Sequence, residues 1–320
     1  MIASFPVGKL PHAVSRDELA AFTYLRQAFI TAGAARVLEL VDPERWVQVG
    51  ASFAGARRAD AFMRERVLPR VEAWLQAGRV SRFFYMWKPP GVRLRFCVPR
   101  PTAGFERELT ALLSGARRAR LITRHEYGLY DAETYQFGGE AGIDLYHRHA
   151  TIDSIAVLRL KDLLHRGRAE ADASSLSLVL LSSVFSQVTG DAWELWDVWS
   201  NMRLTGRSFE LTAEQRAIAR EQMKQNQVVL RRAVLAPDAF VAGLSKEERQ
   251  IVADYRRGHA KWAAGVKQAI RRRQLLFGIR KVLPFYAIFH WNRFGFPGYL
   301  QSTLTYFMQE LLSPKGTRRP

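Results

Sequence analysis

Two arginines at alternate positions are the first residues of this sequence that could do chemistry. Arg93 and Arg95 stand in a strand-like run. Alternation along a strand puts them on one face and leaves Val92, Leu94 and Phe96 on the other. Two guanidinium groups side by side repel each other unless they bind an anion such as a carboxylate. The pair therefore indicates an anion site, and the alternative is a solvated edge strand.

A histidine, an amide and a guanidinium stand within four residues near the C-terminus. They are His290, Asn292 and Arg293, at the end of an apolar run. Histidine titrates near neutral pH, so His290 is the most obvious general base in the chain. The alternative is a core histidine that only makes hydrogen bonds.

A pair of glycines marks a third segment. Gly138 and Gly139 follow Tyr130, Gln136 and Phe137 and precede a helical pattern. A tight glycine turn before a helix exposes backbone amides that can bind an anion. A plain strand-to-helix turn explains the same residues equally well.

Strand-like runs gather in the first half of the chain. The four residues of Lys88-Pro89-Pro90-Gly91 separate two of these runs, which predicts a hairpin over 82–98. A capping box at Ser15 and Glu18 indicates a helix that begins near residue 19. The full set of predicted elements in this half is strands at 46–53, 82–87, 92–98 and 120–130 and helices at 19–30, 56–77 and 105–113.

The second half is helical in pattern. Capping boxes at Thr212 and Ser245 mark two helix starts. Strands in one half and helices in the other predict an α+β fold with helices packed on an antiparallel sheet. We expect residues 1–140 to form a mixed α/β region and residues 141–320 a mainly helical region that completes an active-site cleft. The predicted helices cover 143–166, 174–188, 192–201, 212–233, 245–276 and 298–312.

The charge balance indicates an anionic partner. Lys and Arg number 48 against 30 acidic residues, a formal net charge of +18. This excess attracts acidic peptides or nucleic acid, unless it only reflects arginines on solvated faces. The basic runs are short and carry no interleaved aromatic residues, so direct nucleic-acid binding is the weaker expectation.

Several classes of protein are disfavoured by what the sequence lacks. One cysteine, Cys97, permits neither an intrachain disulfide nor a multi-cysteine metal centre. No nucleotide-binding glycine motif, serine-hydrolase elbow or zincin helix occurs, so we expect no cofactor and no metal. His147 and His149, two positions apart, do not share a helix face and are expected on the surface. With no signal peptide and no apolar run of the ~18 residues that a span needs, we expect no membrane span and a cytoplasmic location.

Taken in order, the three segments resemble the thiopeptide-type bacteriocin biosynthesis domain family. Its members are similar in fold to the C-terminal, glutamate-eliminating domain of lantibiotic dehydratases. The resemblance spans most of the chain from about Arg82 onward. It rests on the run from Phe84 to Phe96 with Lys88-Pro89-Pro90-Gly91 and Arg93-Leu94-Arg95, on Tyr130-x-x-Glu133 with Phe137-Gly138-Gly139, on Asp153-Ser154, and on His290-x-Asn292-Arg293.

The resemblance implies a lyase that acts on a ribosomally made precursor peptide with an acidic leader. It would eliminate glutamate from glutamylated Ser or Thr and leave dehydroamino acids, after a glutamyl-tRNA-dependent subunit has added the glutamate. One alternative is a formal [4+2] cycloaddition that builds the pyridine ring of a thiopeptide. Another is a non-catalytic protein that binds and presents the precursor, and in each case we expect the mixed α/β region to bind the leader.

The resemblance also suggests roles for particular residues. His290 would transfer the proton, with Arg93 and Arg95 holding the anion. One departure from the family pattern is Gln136, because elimination domains usually carry an arginine there that helps to hold glutamate. Glutamine can hydrogen-bond a carboxylate but adds no charge, so Arg124 or Arg293 would have to supply it. The expected substrate-binding residues are Lys88, Tyr130, Gln136, Gly138, Gly139, Asn292 and Arg293.

Overall fold

The computed structural model describes residues 20–30, 33, 44–205 and 211–313 of the chain. Residues 20–30 form a helix, α1, within the predicted helix 19–30. The capping box predicted at Ser15 and Glu18 lies outside the described residues.

A four-stranded antiparallel sheet forms the centre of the N-terminal half. Its strands are β1 (Glu44–Ser52), β2 (Arg82–Lys88), β3 (Gly91–Pro99) and β4 (Arg124–Gly128), in the order β2-β3-β1-β4. The predicted hairpin over 82–98 is confirmed as β2 and β3. β4 is shorter than the predicted strand because the preceding helix ends only at Arg118 and Arg120 then adopts a positive φ of 56°.

Two helices cover one face of this sheet. The first, α2, is α-helical over Ala56–Ala61 and Leu68–Gln76 with a π-helical stretch at Phe62–Val67 between them. The second, α3, covers Ala103–Arg118. Their apolar sides and the even-numbered residues Val92, Leu94 and Phe96 of β3 share one hydrophobic cluster. Strand alternation therefore turns the odd-numbered residues of β3 to the opposite face.

The rest of the described chain is helical, and the fold class is α+β, as the sequence predicts. The capping boxes at Thr212 and Ser245 are confirmed. No helix in the described ranges has both the length and the apolar character that a membrane span requires. The helices are α4 (Glu140–His165), α5 (Ala173–Phe185), α6 (Ala192–Ser200), α7 (Ala213–Leu235), α8 (Pro237–Ala242), α9 (Lys246–Arg271), α10 (Ile279–Phe294) and α11 (Gly298–Leu312), with a 3₁₀ turn at Asn201–Thr205.

Helix α10 was not predicted from the sequence. From Val282 onward it is buried on every side, so its apolar residues show no helical period, and it contains Pro284. The predicted helix 245–276 is also shorter than expected, ending at Arg271, with the turn to α10 following. Helix α10 matters because it carries His290, Asn292 and Arg293 into the interior of the helical half.

Candidate active site

Arg95 occupies the centre of the sheet face that α2 and α3 leave uncovered. It pairs with Gln48 on β1 and with Phe84 on β2. Its Nε donates a hydrogen bond to Gln48 Oε1 at 2.8 Å, and one terminal nitrogen lies 3.4 Å from Met86 Sδ. The guanidinium carbon lies 5.0 Å from the Phe84 ring centroid and 4.7 Å from the Tyr130 ring centroid. These neighbours hold the guanidinium in a fixed orientation.

No carboxylate in the part of the chain that the structure describes neutralises the charge of Arg95. Among the described residues, no carboxylate forms an ion pair with this partly buried side chain. Burial lowers the pKa of Arg95 below the ordinary arginine value, while Tyr130, Tyr146 and Glu133 act in the opposite direction. Because a cation that has lost water is costly unless it is paired, this guanidinium is a candidate site for an anionic ligand.

Arg93 lies beside Arg95 on the same face. Its strand neighbours are Gly50 on β1 and Met86 on β2, and its side chain is half-buried. The two arginines therefore have the common face that alternation predicts. We call Gln48, Arg93, Arg95, Tyr130 and His147 the Arg95 site.

A tyrosine–histidine pair forms one wall of the Arg95 site. The Tyr130 hydroxyl lies 2.7 Å from His147 Nε2, and the Trp46 ring centroid lies 4.4 Å from that of His147. Burial lowers the pKa of His147 to about 3, and the positive charge of Arg82 acts in the same direction. The imidazole is therefore neutral at neutral pH and can accept a hydrogen bond from the hydroxyl, whose own pKa burial raises.

The expectation that His147 and His149 lie on the surface is wrong. His147 is 5% exposed and His149 is fully buried. Helix α4 is covered on two sides, by the sheet and by α9 and α10, so residues two positions apart are both in the interior. His149 Nδ1 lies 2.9 Å from His259 Nε2 on α9.

The glycine turn does not offer its amides to a ligand. Gly138 N donates to the Tyr135 carbonyl at 3.0 Å, and Gly139 N donates to the Thr134 carbonyl at 2.9 Å. Both glycines adopt positive φ angles near 90°, and a Cβ at either position would contact the Leu275–Leu276 segment or Val282. The turn is a packed strand-to-helix connection, and no contact joins it to Arg93 or Arg95 within the described residues.

His290 lies in the core and not beside the two arginines. It is fully buried, with Nδ1 2.6 Å from Asp153 Oδ1 and Nε2 3.0 Å from Ser177 Oγ. The contacts follow the order of a Ser-His-Asp triad, but all three side chains are buried. The expectation that His290 shares a cleft with Arg93 or Arg95 is therefore wrong, because α10 is enclosed around this residue.

Asp153 is the centre of this buried network. Arg293 donates from one terminal nitrogen to Asp153 Oδ2 at 2.7 Å and from the other to the Tyr146 hydroxyl at 3.0 Å. The Tyr255 hydroxyl donates to Asp153 Oδ1 at 3.0 Å. Burial alone would raise the pKa of Asp153, but the charges of His290 and Arg293 outweigh it and hold that pKa far below its ordinary value.

The other expected substrate-binding residues are mostly engaged with the protein itself. Asn292 accepts from the Trp87 backbone N–H at 2.8 Å and donates to the Trp87 carbonyl at 3.0 Å, which seals the edge of β2. Gln136 donates to Glu133 at 3.3 Å. Arg293 is committed to Asp153, so it cannot supply the charge that Gln136 lacks.

Two further cations lie away from the Arg95 site. Arg124 pairs with Glu126 at 2.7 Å on the exposed strand β4, so it does not replace the missing arginine either. Lys88 is exposed at the hairpin loop, where it borders a cavity on the opposite face of the sheet.

A family match over most of the chain identifies the family to which it belongs. Residues 46–312 match the family described as "Lantibiotic biosynthesis dehydratase C-term". The chain belongs to this family. A comparison with curated proteins found no match.

Three solved structures share the fold of this dehydratase-family protein. The tRNA-dependent lantibiotic dehydratase MibB from Microbispora sp. 107891 superimposes with a TM-score of 0.65 at 19% identity over 86% of this chain. TsrL has a TM-score of 0.50 at 16% identity, and the matches cover 86% of this chain and 95% of TsrL. TbtD, the pyridine synthase from thiomuracin biosynthesis, has a TM-score of 0.52 at 13% identity, covering 86% of this chain and all of TbtD. This chain spans 28% of the length of the dehydratase MibB.

Within this dehydratase-family protein, Tyr146 connects the Arg95 site to the buried network. Its hydroxyl accepts from Arg293, and its ring centroid lies 5.9 Å from that of Phe84, which contacts Arg95. The Phe137 ring stacks on Tyr146 at 3.8 Å. The sequence pattern did not single out Gln48 or Tyr146, and it predicted His147 on the surface. Gln48 alone carried a signal, as the polar residue between Val47 and Val49 on a predicted strand.

Proposed function

We propose that this dehydratase-family protein eliminates glutamate from glutamylated Ser or Thr residues of a precursor peptide and leaves dehydroamino acids. The observation that carries the proposal is the partly buried Arg95 guanidinium, which is held in place by Gln48, Phe84 and Tyr130 but has no carboxylate partner among the described residues. Glutamate brings a carboxylate to such a site. We place the reaction in the cytoplasm, with a glutamylating domain as the source of the ester.

The reaction removes one proton and one carboxylate. The electron pair of the Cα–H bond forms the Cα–Cβ double bond, and the Cβ–O pair leaves with glutamate. Arg95, with Arg93 beside it, holds a carboxylate of the glutamyl group and orients the ester. Such a charge-assisted contact both positions the substrate and stabilises negative charge in the transition state.

We assign the proton transfer to Tyr130 and His147. The Tyr130 oxygen takes the Cα proton while its own proton passes to His147 Nε2, 2.7 Å away. The anionic substrate beside His147 favours the imidazolium and raises its pKa from the low value of the empty site. His290 then has a positioning role, because its contacts with Asp153 fix Arg293 and, through Arg293, the Tyr146 hydroxyl.

A second candidate, formal [4+2] cycloaddition, is favoured by Gln136. The neutral amide lies against Glu133, and neither Arg124 nor Arg293 replaces the absent arginine. A site with fewer cations fits an uncharged dehydroalanine pair better than it fits glutamate. The shared fold with the pyridine synthase TbtD is consistent with this candidate.

Two substrates distinguish the candidates. Purified protein is incubated with a leader-bearing peptide that carries one glutamylated Ser, and separately with a peptide that carries two suitably spaced dehydroalanines. The proposal expects mass spectrometry to show loss of glutamate from the first and no change in the second. Cyclisation of the second peptide alone supports the cycloaddition. Binding of both peptides without conversion supports the non-catalytic, precursor-presenting alternative.

A further inference from the structure

A cavity of about 630 Å³ opens beside the hairpin loop, on the sheet face opposite to Arg95. Its wall is mainly apolar and includes the rings of Phe53, Trp87 and Phe294 together with Pro90. The Phe53 and Trp87 ring centroids are 6.2 Å apart. We call this space the Lys161 cavity, since one ammonium group from α4 also lines it.

Within the described part of the chain, the ammonium group of Lys161 has only a long ion pair, with Asp60, and no hydrogen-bond acceptor. Its Nζ lies 3.9 Å from Asp60 Oδ1 and 5.4 Å from the Trp87 ring centroid, and it makes no hydrogen bond to any described residue. Asp60 is itself held by Arg64, which donates to Asp60 Oδ2 at 2.7 Å. Asp60 also lines the cavity, so Lys161 has a distant ion-pair partner there but no acceptor at hydrogen-bond distance for its three donors among the described residues.

The free-energy cost of burying the Lys161 ammonium group indicates which kind of ligand the cavity binds. Burial lowers the pKa of Lys161, with Asp60 acting in the opposite direction and Arg64 in the same one. A cation with unused donors in an apolar cavity gains most from a carboxylate, while the surrounding rings gain from a bulky apolar group. The complementary ligand therefore carries both groups close together.

We propose that the Lys161 cavity binds a bulky apolar side chain of the precursor peptide and that a neighbouring carboxylate of the same peptide pairs with Lys161. The assignment of the ligand to the precursor rests on the proposed function. The net charge of +18 and the exposed Lys88 at the rim favour an acidic peptide as the occupant.

The wall of the cavity is fixed before any ligand arrives. Trp87 Nε1 donates to the Arg293 carbonyl at 3.1 Å, and the Trp87 backbone is paired with the Asn292 amide. A preformed wall reduces the entropy cost of binding. It also connects the cavity to α10, which carries the buried network described above.

Blocked dipeptides test the chemistry of the cavity directly. N-acetyl-Asp-Phe-amide and its Asn-Phe counterpart are titrated into the full chain and followed by ligand-observed NMR. We expect the Asp-Phe probe to bind more tightly, and Lys161→Met to weaken it about 10-fold or more while leaving the Asn-Phe probe unchanged. Lys267→Met, at an exposed position of α9, is the matched control and should bind both probes as wild type does.

Filling the cavity gives a second, charge-independent variant. Ala59→Met adds a side chain to the wall and should weaken the Asp-Phe probe without removing the cation. Equal binding by wild type, Lys161→Met and Ala59→Met overturns the proposal. Binding of free 3-phenylpropionate but not of the blocked dipeptide also overturns it, because the ligand is then a small acid. A Lys161-dependent monomer–dimer change in sedimentation overturns it in favour of a second copy.

Kinetics with the glutamylated precursor separates this proposal from the proposed function. Lys161→Met should raise KM about 10-fold with kcat unchanged, since the cavity binds substrate and transition state alike. An unchanged KM in a protein that eliminates glutamate overturns the cavity proposal alone. Lys161-dependent dipeptide binding in a protein that converts no glutamylated peptide instead overturns the proposed function and leaves the cavity chemistry supported.

Discussion

Arg95 and Gln48 lie directly opposite each other on β3 and β1, and Arg95 Nε donates to Gln48 Oε1 at 2.8 Å. An uncharged amide orients the guanidinium without neutralising it. The terminal nitrogens keep the positive charge that an incoming carboxylate needs. This hydrogen bond therefore orients the Arg95 guanidinium on the sheet face while leaving its charge available to a substrate carboxylate.

Replacing Gln48 by glutamate should neutralise the positive charge of Arg95. Gln48→Glu keeps the size of the side chain and gives Arg95 a permanent carboxylate partner, so the substrate must compete with it. We expect kcat/KM for the glutamylated peptide to fall about 10-fold or more. The same substitution at the exposed Gln268 serves as a control and should leave kinetics unchanged. Wild-type kinetics for Gln48→Glu would contradict the role of Arg95.

Removing one hydroxyl should separate proton transfer from binding. Tyr130→Phe keeps the ring over Arg95 but removes the atom that lies 2.7 Å from His147 Nε2. Loss of a positioned acid–base group typically costs ~10²–10⁴-fold in rate, so we expect kcat to fall in this range with KM little changed. Tyr127→Phe, on the exposed strand β4, should behave as wild type. If Tyr130→Phe retains wild-type kcat, a group other than Tyr130 removes the Cα proton.

Stability should fall in mild acid because of His147. Its pKa is about 3 in the folded state and about 6.5 when unfolded. The unfolded chain therefore binds more protons between these values, and the free energy of unfolding drops as pH falls through that window. At pH 5 the loss relative to neutral pH is about 2 kcal/mol from this group.

The variant His147→Gln isolates this contribution. Urea unfolding at pH 7 and pH 5 should show a smaller difference in unfolding free energy than wild type, by about 2 kcal/mol. His165→Gln changes an exposed histidine of the same helix and should keep the wild-type difference. An unchanged pH dependence in His147→Gln would show that His147 titrates normally in the folded protein.

We expect the buried network around Asp153 to contribute mainly to the stability of the fold. His290→Ala removes a hydrogen-bonded partner of the fully buried Asp153 and leaves a void. Breaking a buried pair in this way typically costs about 3–5 kcal/mol. Thermal and urea unfolding should show this loss, whereas Lys281→Ala in the exposed first turn of α10 should not. A His290→Ala protein with wild-type stability and no elimination would make His290 the base, as the sequence alone suggests.

The sequence predicts local features of this fold well, because local features depend on neighbouring residues. The hairpin around Lys88–Gly91 and the common face of Arg93 and Arg95 follow from turn residues and strand alternation. Helix α10 does not follow, because a helix buried on all sides has no amphipathic period and Pro284 disfavours a helix.

The candidate site is harder to predict because it depends on contacts between distant segments. Gln48 reaches Arg95 only through the β1–β3 register, and His147 meets Tyr130 only because α4 packs on the sheet. The residue type of His290 indicates proton transfer, but its burial depends on all the helices around it. Sequence spacing carries no information on either point.

The central claim is that Arg95 holds the glutamyl carboxylate. The most direct test uses a peptide in which an amide replaces the reactive ester of glutamylated Ser, so that binding is measured without turnover. An otherwise identical acetylated peptide and Arg107→Met, at an exposed position of α3, are the controls. By isothermal titration, Arg95→Met should weaken the glutamyl peptide by about 30-fold or more, with the acetyl peptide and Arg107→Met unaffected. A folded Arg95→Met protein that binds the glutamyl peptide as tightly as wild type would contradict the account.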